Sequence, residues 1–543
     1  MSRPTRTLPL LTLAVIGCSG APSTSSRTVA PAPRTAAHGV ITADELRRDL
    51  FAFAADSFRG RETGTSDANR AAAFIARRVQ LLGLEPGGDS LYMQRVPLIR
   101  QKFGRATRIA VTWGNQTRVL RLGADVAPLT NFGGDVPDPR RSADGDMVFV
   151  GYGPTTDDEA AQLAGVDLAG KVVVLLHGAP AGTDPDQVKT LESSRVLGRR
   201  IGYLWRANPA GFVVLFTGTA ADIYEQLSPE LLHGVLAQGQ EEAVAGGNAR
   251  VMPMVVIGVA RRGSPLLPAK WPADMRVQSL GRHFTGRIEI QREPFTGYNV
   301  VAVVRGRDPR LSKTYVAFGA HYDHIGVLHD AGLADGDPAA DSIANGADDD
   351  GSGTVALLAI ARQMTVARPR RSVLFVWHVA EEKGLLGSEY FTNHSPVPID
   401  SIVAQFNADM IGRNDSNTLA LVGPRAAPNY QSWRLGMIVD SVNRAYPRPF
   451  HIDRQWDSPD DPEEIYQRSD HYSYAKKGIP IIFFTTGPHG DYHRVSDSPS
   501  KIDYDKLSRV ARLMMDAGLA VANRASRPTS DAVPPPPVSS RQR

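Results

Sequence analysis

YVAFGAHYD (Tyr315–Asp323) is an unbroken apolar run that ends on His321 and Asp323. A run of this kind, with no polar alternation, predicts a strand buried on both faces, as in a sheet covered by helices. The same design recurs downstream. Ser372–Val379 runs into Glu381 and Glu382, and Ser401–Phe406 leads to Asn407 and Asp409. Ile479–Phe484 leads through a Gly-Pro turn to Asp491, Tyr492 and His493, and Asn299–Val304 is a further strand. Between the strands, Gly353–Met364 and Leu385–Phe391 have helical character. Strand alternating with helix predicts an α/β fold with a mostly parallel, mixed sheet flanked by helices.

In an open α/β sheet, ligands bind outside the carboxyl ends of the strands. The polar residues above therefore converge on one predicted edge, joined by the loop Asp348-Asp349-Asp350-Gly351. Taken singly, each has a plain structural reading: a surface pair, a solvated helix start, a helix cap or a turn. Together they place several carboxylates side by side, which repel unless a cation neutralises them. Zinc accepts such a mixture of histidine and carboxylate, and catalytic zinc sites leave a position for water. The clustering predicts a metal-dependent hydrolase.

Six strings carry a more specific likeness: AHYDHIG (320–326), NGADDDGSG (345–353), VAEEKGLLGSEYF (379–391), FNADMIG (406–412), SDHYSYAKKGIPIIFF (469–484) and DYHRVSDSPSKID (491–503). In order and spacing this stretch resembles the zinc aminopeptidases and glutamate carboxypeptidases with a co-catalytic two-zinc site. The resemblance implies two zinc ions per chain, held by His321, Asp349, Glu382, Asp409 and His493, with Asp349 bridging both. It implies Glu381 as general base, Asp323 orienting His321 through the ring nitrogen not used for metal, and Tyr492 as oxyanion stabiliser. Asp348 and Asp350 are expected to shape the loop. The histidines His324, His329, His378, His394, His471 and His489 are expected to be structural for the most part, with His471 a candidate to line the pocket. The expected activity is removal of N-terminal residues from peptide substrates. The alternatives are a glutamate carboxypeptidase-like or dipeptidase activity, a glutaminyl cyclase, and a non-catalytic receptor-like binding protein.

The rest of the 543 residues frames this segment. The length asks for two folded domains. With 61 basic against 57 acidic residues and no long basic block, no nucleic-acid partner is expected. Arg3 and Arg6, the apolar Leu8–Ile16 and Gly17-Cys18 read as an export signal, and Val15-Ile16-Gly17-Cys18 resembles a bacterial lipobox. Since Cys18 is the single cysteine, the expectation is a periplasmic or cell-envelope lipoprotein with residues 1–18 as the signal, the alternative being a plain secretory signal and a secreted protein. Residues 19–38 read as a flexible linker and 526–543, with Pro534–Pro537, as a disordered tail. Thr42 with Glu45 predicts a capped helix, and a second is expected from Ser66 to Gly83. Residues 39–137 would then be the N-terminal part of the peptidase domain and 286–525 its catalytic part. Residues 138–285 read as a β-rich insert of short strands and Gly-rich turns, similar to a protease-associated domain in LAGKVVVLLHGAP (168–180), with His177 and His233 standing alone.

Overall fold

The computed structural model describes residues 40–129, 140–222, 224, 235–238, 252–328 and 342–528. Cys18 with its signal, the 19–38 linker, the tail beyond residue 528, His233 and His329 lie outside these residues. The described chain forms two compact units: Leu98–Phe295, and the segments up to Pro97 and from Thr296 onward.

In the second unit the expected helices form at the N-terminal side. Thr42 Oγ1 accepts a hydrogen bond from the Glu45 amide and starts Ala43–Phe53, which buries Leu46, Leu50 and Phe53 on one face. Thr65 caps Ser66–Leu81 in the same way, and Gly83 leaves it at φ 74°. The side-chain oxygen satisfies an amide that has no partner within the helix.

The sheet of this unit runs in the order His451–Asp453, Thr418–Val422, Ile481–Thr485, Ile402–Ala408, Tyr315–His321, Ser372–His378 and then Val300–Val304. Four neighbours in its middle, Ile481–Thr485, Ile402–Ala408, Tyr315–His321 and Ser372–His378, are mutually parallel. Their carboxyl ends therefore point the same way. All four are buried along their whole length, which explains why their sequences do not alternate. Phe318 sits at the centre, stacked on Phe375 and on Phe406 with ring centroids 5.4 Å apart in both pairs. The helix Gly353–Ala367 is buried on almost every side, as its apolar composition requires. It is tied to the sheet by the Thr354 hydroxyl donating to the His321 carbonyl (2.7 Å) and Trp377 Nε1 donating to the Thr354 carbonyl (3.1 Å).

The other unit departs from the expected 138–285 insert in extent and character. It begins near Leu98, because Arg108–Trp113, Gln116–Val119 and Ala127–Leu129 pair into its own sheet. At its centre, Ser142–Phe149, Val172–His177, Gly211–Phe216 and Met254–Val259 are parallel neighbours. A twelve-residue helix, Ser194–Trp205, packs Leu197, Ile201 and Leu204 into this unit's core. Parallel neighbours need crossover connections, which is where helices arise in a stretch read as strands and turns. His177, which stood alone in the sequence, is buried against Phe216, with Nε2 3.1 Å from the Glu192 carbonyl.

Candidate metal centre

The carboxyl ends of the four parallel strands bring the predicted ligands together. His321 closes its strand, and Asp409 follows Ile402–Ala408 directly. Glu381 and Glu382 lie three and four residues beyond His378, and His493 is reached from Thr485 across the 486–492 turn. Asp349 comes from the loop before Gly353–Ala367. Three positive-φ residues fall at these points: Ala380 (58°) before Glu381, Met410 (58°) after Asp409, and His493 itself (55°). Non-glycine residues avoid this region, and such conformations gather where a site over-determines the backbone.

The side chains form two groups that could each hold a cation. One is His321, Glu381 and Asp409; the other is His324, Asp349, Glu382 and His493. Asp349 reaches both. Its Oδ1 lies 3.2 Å from His321 Nε2, and its Oδ2 lies 3.3 Å from His493 Nε2. In the first group, His321 Nε2 is 3.6 Å from Asp409 Oδ1 and 3.9 Å from Glu381 Oε2. In the second, His493 Nε2 is 3.0 Å from Glu382 Oε2, and His324 Nδ1 is 2.7 Å from Glu382 Oε1.

The donor atoms themselves test whether a cation fits. His321 Nε2, His493 Nε2 and Asp409 Oδ1 are buried and make no hydrogen bond. Buried polar atoms are otherwise almost always paired. Here lone pairs of nitrogen and oxygen face one another across 3.0 to 3.6 Å, an arrangement that a shared cation satisfies. The electrostatics agree. Burial opposes charge on His493, yet the carboxylates of Glu382 and Asp349 raise it to about 10. His321 is driven up in the same way, against its burial, by Glu381, Asp409 and Asp349. The cluster draws protons to the points where positive charge is needed.

The surrounding residues hold these donors in place. His321 Nδ1 lies 3.1 Å from the main-chain carbonyl of Asp323, and 3.8 Å from its carboxylate. Both acceptors of Asp323 thus face the ring nitrogen of His321, the carbonyl nearer than the carboxylate. The carboxylate accepts from the Thr63 hydroxyl (2.9 Å) and the Glu381 amide (3.2 Å). Asp350 accepts from the amides of His321 and Gly353, and Asp348 from that of Gly412. Both therefore shape the loop. Asp497 Oδ2 accepts from the amides of Asp348 (3.0 Å) and Asp349 (3.2 Å), fixing the bridging residue from behind. Tyr492 stacks on His493 with ring centroids 3.9 Å apart, and burial next to Asp349 and Glu382 holds its phenol well above the usual range, so it keeps its proton.

Residues 299–518 match the family model "Peptidase family M28". The M28 segment is similar to curated aminopeptidases. The chain is 29% identical over 204 residues to "probable leucine aminopeptidase 2" of Aspergillus oryzae, covering 37% of this chain and 36% of that one. It is 25% identical over 330 residues to Aminopeptidase Y of Saccharomyces cerevisiae, covering 55% of this chain and 50% of that one. The chain spans between 36% and 64% of the length of the first curated relatives it matches. In fold it resembles an aminopeptidase from Aneurinibacillus sp. strain AM-1, with a TM-score of 0.53 at 18% identity, covering 91% of this chain and 96% of that one.

Two histidines of the M28 segment that sequence reasoning set aside stand at or beside the site, and an aspartate it did not weigh is buried near it. His324, expected to be structural, stands in the second ligand group. Its distance of three residues from His321 was the available signal, and the absence of any periodicity in a loop concealed it. His489 places Nε2 3.3 Å from Asp348 Oδ2. Asp470 is fully buried with neither carboxylate oxygen hydrogen-bonded, and burial raises it to about 7. His471, the candidate pocket residue, is instead buried, with Nε2 2.9 Å from the Tyr466 carbonyl and its ring on Phe483.

Proposed function

We propose that the protein is a two-zinc aminopeptidase, removing residues from the free amino end of peptides. The observation that carries this reading is Asp349, whose two oxygens each face the histidine of a different ligand group. In this reading His321 and Asp409 hold one zinc ion, Glu382 and His493 the other, and Asp349 both. When bound, a zinc pair supplies Lewis acidity that polarises the scissile carbonyl and makes a water acidic enough to attack at neutral pH.

The protein's own groups supply the remainder. Glu381 is partly buried, and that burial, with Asp409, Glu382 and Asp470 nearby, raises its affinity for a proton well above that of an ordinary carboxyl. It is placed to take the proton of the attacking water on its carboxylate and pass it to the leaving amine. The neutral Tyr492 phenol, held by its stack on His493, donates to the oxygen that becomes negative as the carbonyl is attacked. The names of the related fungal and yeast proteins favour an amino-terminal over a carboxyl-terminal exopeptidase. The Leu98–Phe295 unit is read as an accessory domain of the protease-associated type.

Release of single residues from peptides with free, acetylated or amidated ends tests this. The expected result is chelator-sensitive release from free amino ends, lost on acetylation and in Glu381→Ala. Cleavage that survives acetylation, or no cleavage by zinc-loaded protein, contradicts it.

A further inference from the structure

Among the described residues, Arg61 is a buried cation close to the ligand-bearing loops that the proposed mechanism does not use. Arg61 lies outside the M28 segment, in the chain before the Leu98–Phe295 unit, and is wholly inaccessible to solvent. Its guanidinium spends its donors on three main-chain carbonyls. Nε donates to Tyr322 (2.8 Å), Nη1 to Asn345 (2.6 Å) and Nη2 to Gly346 (2.8 Å). Tyr322 follows His321 directly, and Asn345 and Gly346 open the loop that carries Asp349. One planar group thus fixes the separation of two ligand-bearing segments.

Two residues on, the Thr63 hydroxyl makes a second link. It donates to Asp323 Oδ2 (2.9 Å) and accepts from the Ala380 amide (3.2 Å). Ala380 directly precedes Glu381. Between them Arg61 and Thr63 join the His321 strand end, the Asp349 loop and the Glu381-Glu382 turn.

The backbone here is built around this task. Arg59, Gly60 and Arg61 follow one another at φ 47°, 70° and 50°. At Gly60 a Cβ would stand 2.4 Å from the Gly326 carbonyl oxygen and 2.6 Å from that of Ala344, so only glycine fits. The Gly326 amide donates to the Gly60 carbonyl, and Glu62 forms a parallel bridge to His324. A large side chain in the left-handed region persists only where the surroundings over-determine it. The charge also has a purpose. Burial lowers Arg61 to about 10, opposed by Asp349, Asp497, Asp323 and Asp350, so it stays protonated and offsets the acidic cluster.

We propose that Arg61 and Thr63 are positioning residues of the cation centre: an arch from outside the M28 segment that sets the spacing of His321, Asp349 and Glu382. The inference rests on the two-zinc reading. Lysine in place of Arg61 keeps the charge but cannot reach three carbonyls as a planar fork. Valine in place of Thr63 keeps the shape and loses both hydrogen bonds, whereas serine keeps them.

The test is zinc affinity of the full chain, stripped with chelator and titrated with zinc against a chromophoric competitor. Cobalt absorption serves as a second readout of ligand geometry. Arg61→Lys and Thr63→Val are expected to weaken zinc binding by about tenfold or more and to alter the cobalt spectrum. Thr63→Ser should bind as wild type, and metal-free Thr63→Val should still unfold in one cooperative transition, at a midpoint lowered by the two lost hydrogen bonds. If Arg61→Lys does not fold, Thr63→Val, which removes a single hydroxyl, carries the test. Variants that bind two zinc ions with wild-type affinity and spectrum overturn the inference alone. Wild-type protein that binds no zinc overturns the proposed function and this inference with it.

Discussion

His324 Nδ1 lies 2.7 Å from Oε1 of Glu382, while Glu382 Oε2 lies 3.0 Å from His493 Nε2. The carboxylate is thus gripped on one oxygen and presented with the other. Hydrogen bonds of this kind orient metal ligands and typically change metal affinity by about 10–100-fold when removed. His324→Ala is expected to weaken one of two zinc-binding steps by that factor and leave the other unchanged. A two-step calorimetric zinc titration reads this directly.

Glu381 is the group whose loss separates chemistry from binding. Its oxygen is 3.9 Å from His321 Nε2, farther than the other carboxylates around that nitrogen. Glu381→Gln keeps the shape and removes the base. The expected result is a fall in kcat of about 10²–10⁴-fold with zinc content retained, read from peptide turnover and metal analysis on the same sample.

Acid sensitivity follows from His177 in the Leu98–Phe295 unit. Its Nε2 faces the Glu192 carbonyl and its Nδ1 faces Arg200, so a second proton has no acceptor. Burial, with Arg200 adding, lowers it from 6.5 to about 3. The folded value lies below the unfolded one, so the unfolded state takes up the proton first as the pH falls. Stability is complete above about pH 6.5 and drops by about 1.4 kcal/mol per pH unit below it for one such group. His471 in the other unit, also held down to about 3 by burial, acts in the same direction. Calorimetry between about pH 7.5 and 5 should show falling midpoints, and His177→Gln should flatten part of that fall.

The core of the second unit depends on Phe318, stacked on both sides and touching Gly518. Phe318→Ala should cost about 3–5 kcal/mol through the cavity it leaves. Denaturant unfolding of metal-free protein checks this without interference from zinc.

The parts of the molecule that were legible in the sequence share one property: their function and their burial leave the same mark. The strand Tyr315–His321 is apolar because it is covered on both faces, and its first polar residue is at the site. The side chains of His321, Asp349, Glu381, Glu382, Asp409 and His493 cluster in the structure, and each lies at or after a strand end or in the 348–350 loop, where the sequence pattern pointed. The residues missed act through the fold. Arg61 and Thr63 are remote in sequence, and their partners are backbone carbonyls, an amide and one carboxylate, which leave no side-chain pattern. The Asp323 carbonyl beside His321 Nδ1 was invisible for the same reason, since a main-chain acceptor has no letter of its own. In the Leu98–Phe295 unit, Ser194–Trp205 carries Gly198 and Arg200 within its buried face, and it lay inside a stretch read as short strands and Gly-rich turns until tertiary packing selected a helix.

If Asp349 serves both cations, zinc stoichiometry depends on it. Calorimetric titration of the chelator-stripped full chain should give two zinc ions bound per chain, with Asp349→Asn weakening both steps at once. A single site, or an Asp349→Asn protein that binds two zinc ions as wild type does, would contradict the account.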